Sequence, residues 1–348
     1  MRSISTELLA EQNKASNTPY TYMLLTSADG GLTFDYSSDK QGRRVLLLDH
    51  YEEPYGDNAT IILDNFDRSI PNMKGYWTEI GYGYHTGEIV ASPDGDSNGN
   101  EYSKTPRLWV KHQQEVSAQG RIVTVLELEG MWEYLAEQPS KIGSLPYYRA
   151  EGTFENITPY DALTLVLAEA GMTLAALVED DSIMDTYKIP LFNVNTEPYE
   201  TLAGLCQRLV SITKSYLKAK PGLEFEVKYP QSSDSADINY YSASAPYFYE
   251  YQERFNVLKP NHVYVFADEG DWGILGEASA SSEIAGYCDV PLLVVAGGIT
   301  KAVDATNLAE ALLARAKMEQ DAGRMIAPHD CQLELYDKIA AHDTRGTT

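Results

Sequence analysis

The residues able to do chemistry in this sequence gather in a few places. The sharpest local motif is Asp94-Gly95-Asp96-Ser97-Asn98-Gly99-Asn100. Asp94, Asp96, Asn98 and Asn100 would supply oxygen ligands at the first, third, fifth and seventh positions of a calcium loop, with Gly99 at the sixth. The twelfth position is Thr105 rather than the bidentate Glu, and no helical pattern flanks the segment. It reads either as an incomplete calcium site or as a hairpin tip rich in turn residues. A second concentration is aromatic. Tyr247, Tyr249 and Tyr251 follow Pro246, with Tyr240 and Tyr241 just upstream. In an extended chain the three alternating tyrosines share one face. There they would form a core or subunit-contact stripe, or a platform for sugar rings.

Other candidates read more plainly. The histidines are His50, His85, His112, His262, His329 and His342, and none sits at a helical ligand spacing from another His, Cys or carboxylate. The neighbours Asp49-His50 and His329-Asp330 point in different directions on either kind of element. Surface or partly buried histidines are expected. Cys206, Cys288 and Cys331 are odd in number and widely spaced, which predicts three reduced thiols acting as small buried hydrophobes. Pairs such as Glu52-Glu53 and Asp180-Asp181 read as solvated faces. There is no nucleophile elbow, zinc-protease motif or phosphate loop, and Gly81 to Gly87 falls in a strand pattern rather than opening a helix. No residue is expected to be catalytic, and calcium is the one cofactor the motifs raise.

The elements that must carry these residues fall into two kinds. Residues 18–137 read as β: Tyr20, Tyr22 and Leu24 alternate, Val45 to Leu48 and Ala59 to Leu63 are short apolar runs, and Gly120 marks a turn before Ile122, Thr124, Leu126 and Leu128. A small antiparallel barrel or sandwich over 1–137 is predicted, followed by a linker over 138–153. Then the period changes. Thr158-Pro159-Tyr160-Asp161 is a helix start, and Gly171 its end. A second helix is predicted from about Thr196 to Lys218, striped by Leu202, Leu205, Cys206, Leu209, Ile212 and Tyr216. These make 154–222 the helical part of an α/β domain. Residues 223–299 read as a second β-barrel-like domain, with strands at Leu223 to Tyr229, Val263 to Phe266 and Val290 to Ala296. A third helix from about Asp304 to Ala322, and a last strand at Cys331, Leu333 and Leu335, complete the α/β domain over 300–348. The fold class is α+β, with two small antiparallel barrels and a helix-containing domain between and after them.

Composition bounds the function. The chain has 348 residues, 27 basic and 51 acidic, for a net charge of −24. Each half carries half of the excess, so no acidic tail explains it. Such a body opposes sequence-specific nucleic-acid binding and docking on anionic lipid. No apolar run is long enough to cross a bilayer, and Met1 to Glu7 lacks the apolar stretch of a signal peptide. Tyrosine outnumbers phenylalanine 25 to 8. Tyrosine suits a surface where an apolar body meets water, which fits a chain with much contact area.

The order of elements and several phrases resemble the baseplate hub, or tail hub, proteins of bacteriophages, including the late-control D type. The phrases are Ala59 to Asp67, Gly75 to Gly83, Tyr199 to Leu209 with Arg208, Leu223 to Val227, Asn261 to Val265, and Ala309 to Arg315. The resemblance covers roughly 18–340 and is one of pattern and order. It implies a structural virion component that folds in the host cytoplasm, with no enzymatic role. It implies a homotrimeric ring whose two barrels per chain face a hexameric tail tube. A central channel would pass the tape measure protein and then DNA. Partners would be the tail tube protein, distal tail or baseplate proteins, and a spike or tip protein. Two other readings stand beside it: a tail-associated carbohydrate-binding or adhesin module using the tyrosines, and a cell-wall hydrolase.

Overall fold

The computed structural model describes residues 1–39, 44–89, 95–118, 120–140, 153–154, 156–178, 182–189, 192–193, 200–231, 233–268, 271–296, 299, 301–320 and 322–344. After α1 (Thr6–Gln12), the first region is one antiparallel sheet of nine strands. Its strands are β1 (Pro19–Thr26), β2 (Thr33–Ser37), β3 (Val45–Glu53), β4 (Gly56–Asp64), β5 (Trp77–Thr78), β6 (Gly81–His85), β7 (Asn100–Lys104), β8 (Leu108–Ala118) and β9 (Arg121–Glu129). They run in the order β3-β4-β9-β8-β5-β1-β6-β7, with β2 beside β1. Period-two patterning sets the inner face: Ala59, Ile61 and Leu63 of β4 are buried while their neighbours turn outward. Met23 and Leu25 of β1 meet these β4 residues, and Leu126 and Leu128 of β9, in one core. Distant strands sharing one core require the sheet to curl, here into a half-barrel.

α2 (Met131–Ala136) leaves the sheet and puts Met131, Trp132 and Leu135 into a second core. After β10 (Thr153–Phe154), α3 (Pro159–Glu169) begins where the sequence places it, with Thr158 Oγ1 accepting from the Asp161 amide at 3.1 Å. β11 (Thr173–Leu174), α4 (Ser182–Thr186), β12 (Phe192–Asn193), α5 (Leu202–Ser211), β13 (Tyr216–Lys220) and β14 (Glu224–Lys228) complete this region. α5 stops at Ser211, short of the predicted Lys218. The Thr213 hydroxyl donates to the Val210 carbonyl at 2.8 Å and accepts from the Ser215 amide at 3.2 Å, diverting the backbone into a turn. Tyr216 and Lys218 therefore lie on a strand paired with β14.

The remainder contains β15 (Ile238–Tyr241), β16 (Glu250–Arg254), β17 (His262–Asp268), β18 (Asp271–Ser279), α6 (Ser281–Gly286), β19 (Pro291–Val295), α7 (Ala302–Gln320), β20 (Ala322–Ile326) and β21 (Ile339–His342). β17 is the centre of a three-stranded sheet, antiparallel to β18 and parallel to β19. α7 covers one face, packing Ala305, Leu308, Ala309 and Leu313 on Val263 and Val265. The approach is close: a Cβ on Gly276 would lie 2.1 Å from the Ala305 carbonyl carbon. β16 pairs with β20, and β15 with β21. The predicted strand at Cys331 to Leu335 is a run of turns, and the last strand is β21. The alternation there reports burial of Cys331 beside Leu8, and packing of Leu333 against Tyr240 and Phe248, rather than a ladder. The chain is thus mixed α+β: a curled antiparallel half-barrel, several small sheets and few helices. Strands between 223 and 299 are shared among several of the small sheets. No helix among the described residues is long and apolar enough to cross a membrane.

Candidate interaction surfaces

A cleft of about 820 Å³ lies between β1, β3 and β6 of the half-barrel and two later segments, 245–249 and 328–330. Tyr20, Tyr82, Tyr84, Tyr240, Tyr247 and Tyr249 line it, together with Leu46 and Leu47. The segment Pro328-His329-Asp330 sits in this opening. His329 lies 4.5 Å from the Tyr82 ring centroid, and Tyr82 in turn stacks on His50 at 5.9 Å. The Tyr84 hydroxyl donates to the His329 carbonyl and the Tyr240 hydroxyl to Asp330 Oδ2, both at 2.9 Å. Protein surrounds His329, although the cleft leaves the residue accessible to water. Desolvation first, and then the Arg2 guanidinium, hold its pKa down at about 4, so it stays neutral at ordinary pH. Burial pushes the Tyr84 phenol up to about 12.

N-terminal and C-terminal segments are clasped together beside this cleft. Gln12 Nε2 donates to Asp330 Oδ1 at 3.2 Å, and Gln12 Oε1 accepts from the Cys331 amide at 3.1 Å. The Ser103 hydroxyl of β7 donates to the Cys331 carbonyl at 2.6 Å. Deeper in, Lys218 is 2% exposed, with its ammonium 2.9 Å from Glu334 Oε2 and 3.0 Å from Glu226 Oε1. Arg2 lies 3.6 Å from the other Glu334 oxygen and 3.5 Å from Glu52. Burial alone would raise the Glu226 carboxyl pKa, but Lys218, Lys228 and Lys220 outweigh it and hold the value at about 2. The network ties β13, β14, β3 and the chain near residue 334 into one unit.

The sequence-predicted residues separate in space. Asp94 lies outside the described residues. Asp96 Oδ1 accepts from the amides of Asn98 and Asn100 at 2.8 and 3.1 Å. Its Oδ2 accepts from Asn100 Nδ2 and the Tyr20 hydroxyl, both at 2.9 Å. Asp96, Asn100 and Tyr20 therefore knit the hairpin tip to β1, while Asn98 contributes its amide. Among the described residues no group of three or more His, Cys, Asp and Glu is arranged to hold a metal ion. Tyr247, Tyr249 and Tyr251 are 42%, 68% and 36% exposed. Tyr247 and Tyr249 line the cleft, whereas Tyr251 sits on β16 opposite Met325 of β20 with its ring 5.8 Å from Phe248. Cys206 and Cys331 are buried free thiols. Cys288 departs from the expectation and is exposed, because its loop is anchored through its backbone carbonyl, which accepts from Asn261 Nδ2 at 2.7 Å.

Sequence reasoning missed the paired ionisable groups. His262 on β17 has Nε2 2.9 Å from Glu277 Oε1 and Nδ1 3.1 Å from Asp289 Oδ1. His50 Nε2 lies 2.7 Å from Asp57 Oδ1. Both histidines lie just outside the predicted strands, and the sequence carries no spacing that links them to their partners. Chemically, these surfaces offer exposed aromatic area, while their hydrogen bonds and buried ion pairs are satisfied within the chain.

No family model matches the chain, and no curated protein matches its sequence. Among the solved structures that share its fold are two tail proteins. The tail protein from Neisseria meningitidis MC58 superposes with a TM-score of 0.65 at 10% identity, over 95% of this chain and 88% of that one. The 43 kDa tail protein of prophage MuSo2 from Shewanella oneidensis does so with a TM-score of 0.62 at 11% identity, over 93% of this chain and 89% of that one.

Proposed function

We propose that this chain is a structural component of a phage tail, the baseplate or tail hub that joins the tail tube to the tip or spike as a homotrimeric ring around a channel. The observation that carries the reading is a fold shared along almost the whole chain with two tail proteins, one of them from a prophage. The tyrosine-lined cleft, the buried ion pairs and the lack of a catalytic constellation in the sequence support contact rather than bond making. Its partners in this reading are the tail tube protein, distal tail or baseplate proteins, the spike or tip protein and the tape measure protein. A body at −24 keeps DNA phosphates from adhering to the bore. The test is mass in solution with a projection image. A ring of about 116 kDa, three times 38.7 kDa, with three-fold symmetry and a hole, is expected. A single-copy particle that cleared peptidoglycan in a zymogram would overturn it and favour a cell-wall hydrolase.

A second reading, a tail-associated carbohydrate-binding module, draws on one observation: Tyr247 and Tyr249 are exposed at the cleft. Glycan-array binding that a chelator removed would favour it and bring the Asp94 to Asn100 loop in as a calcium site.

A further inference from the structure

A cyclic ring is built from head-to-tail contacts, so each chain must carry two different surfaces that fit one another. This inference rests on the ring reading and names those surfaces. The structure leaves two sheet edges open that carry an unbroken aliphatic run. One is the outer edge of β3, where Val45-Leu46-Leu47-Leu48 pairs only with β4. The other is β19, Pro291-Leu292-Leu293-Val294-Val295, which pairs only with β17. Among the described residues neither outer edge has a backbone hydrogen-bond partner. Leu46 and Leu47 are each 52% exposed, and Leu293 and Val295 are 65% and 55% exposed.

Edges that stay in water are blunted with charge or covered, and this chain does both elsewhere. β16 is exposed along its length and carries Glu250, Glu253 and Arg254. β7, at the far end of the large sheet, is buried, and Ser103 holds the Cys331 segment over it. The β3 run, whose Leu46 and Leu47 open onto the cleft, and the β19 run carry no charge, and among the described residues no strand pairs with their outer edges. Charge selects the occupant. Copies at −24 repel, so two of them meet most readily where neither brings a charge. Val45–Leu48 and Pro291–Val295 contain no charged residue, and the uncharged part of β3 ends at Asp49. The two runs are of similar length, and they lie in different regions of the chain, as a head-to-tail contact requires.

We propose that in the ring the β19 edge of one copy adds to the β3 edge of the next, continuing a sheet across every subunit contact. Main-chain hydrogen bonds supply the attraction and the leucines fill the seam.

The test is cysteine cross-linking in the full chain with Cys288→Ser, since Cys206 and Cys331 are buried. Leu46→Cys or Leu47→Cys is combined with Leu293→Cys or Val295→Cys. Neighbours across paired strands lie within the Cα separation that a disulfide spans. Mild oxidation is expected to give covalent species of two and three copies on a non-reducing gel, and none larger. In parallel, Leu293→Lys should weaken self-association at least about ten-fold in sedimentation. Phe66→Lys, at an exposed position on neither edge, should leave it unchanged. A trimer that forms no cross-link with any pair and ignores Leu293→Lys overturns the edge pairing and leaves the ring reading standing. A monomer at every concentration overturns both.

Discussion

Removing the Lys218 ammonium should cost the fold about 3 kcal/mol at neutral pH and about half of that in acid. The side chain is 2% exposed and serves Glu226 at 3.0 Å and Glu334 at 2.9 Å. Lys218→Met keeps most of the volume and deletes the charge. Breaking a buried ion pair from one side costs about 3–5 kcal/mol. The lower end is expected, because Arg2 stays near Glu334 and Lys220 and Lys228 stay near Glu226. Glu226 is held at about 2 against an ordinary 4.5. A depressed carboxyl stabilises the fold above its unfolded pKa, and that stability is lost as pH falls from 4.5 towards 2. The difference is worth roughly 3 kcal/mol in the native protein, part of it owed to Lys218. In the variant the carboxyl is less depressed, so there is less to lose. Urea unfolding at pH 7 and pH 3, followed by tryptophan fluorescence, should give a deficit of about 3 kcal/mol at pH 7, falling to about half at pH 3. Adding Glu334→Gln should recover part of the neutral-pH loss. Equal deficits at the two pH values would show that the residue acts through packing and refute the electrostatic account.

Arg315 on α7 donates through Nε to the Thr213 carbonyl at 3.1 Å and through Nη2 to Val210 and Ser215 carbonyls at 2.7 and 2.5 Å. Arg315→Ala should destabilise by about 2–4 kcal/mol in thermal or urea melts, and Arg315→Lys should restore less than half, since one ammonium cannot fork. Gly276→Ala should cost about 2–3 kcal/mol by pushing α7 off its sheet, and a change under about 0.5 kcal/mol would contradict the close approach. Burial would lower the His262 pKa, but the bonds to Glu277 and Asp289 outweigh it and raise the value above 6.5. Its stabilisation is therefore full below pH 6.5 and lost as pH rises through the raised value, so hydrogen exchange of the β19 amides should quicken there beyond the intrinsic rate, and His262→Gln should abolish that dependence.

Local signals in the sequence read well where the local physics decides. The Thr158 cap with Pro159 behind it starts α3, and Gly120, at φ 77°, turns the chain between β8 and β9. The helix predicted to Lys218 overran because Leu205, Cys206 and Leu209 continue smoothly into Ile212 and Tyr216. The side-chain hydrogen bonds of Thr213 that end it leave no mark on that apolar stripe. The cleft was illegible for a different reason. Tyr84 and the His329 carbonyl are 245 residues apart, and no spacing rule links them. The same holds for Lys218 and Glu334, whose partnership exists only once β13 and the closing segment are packed. The strand predicted from Val263 stops one residue short of His262, and nothing local reveals the two carboxylates brought to that histidine by β18 and the loop before β19.

The lodging of Pro328 to Asp330 against β6 has a consequence for how the protein is made. The nine-strand region leaves the ribosome long before the residues that stop its opening. Throughout that interval the nascent chain shows water the face of Tyr82 that the finished protein gives to His329. A product broken off before residue 328 would keep that face bare and stay visible to chaperones and proteases. Only polypeptides translated past residue 330 bring His329 against that ring, so the contact reports that synthesis has reached the segment completing the cleft.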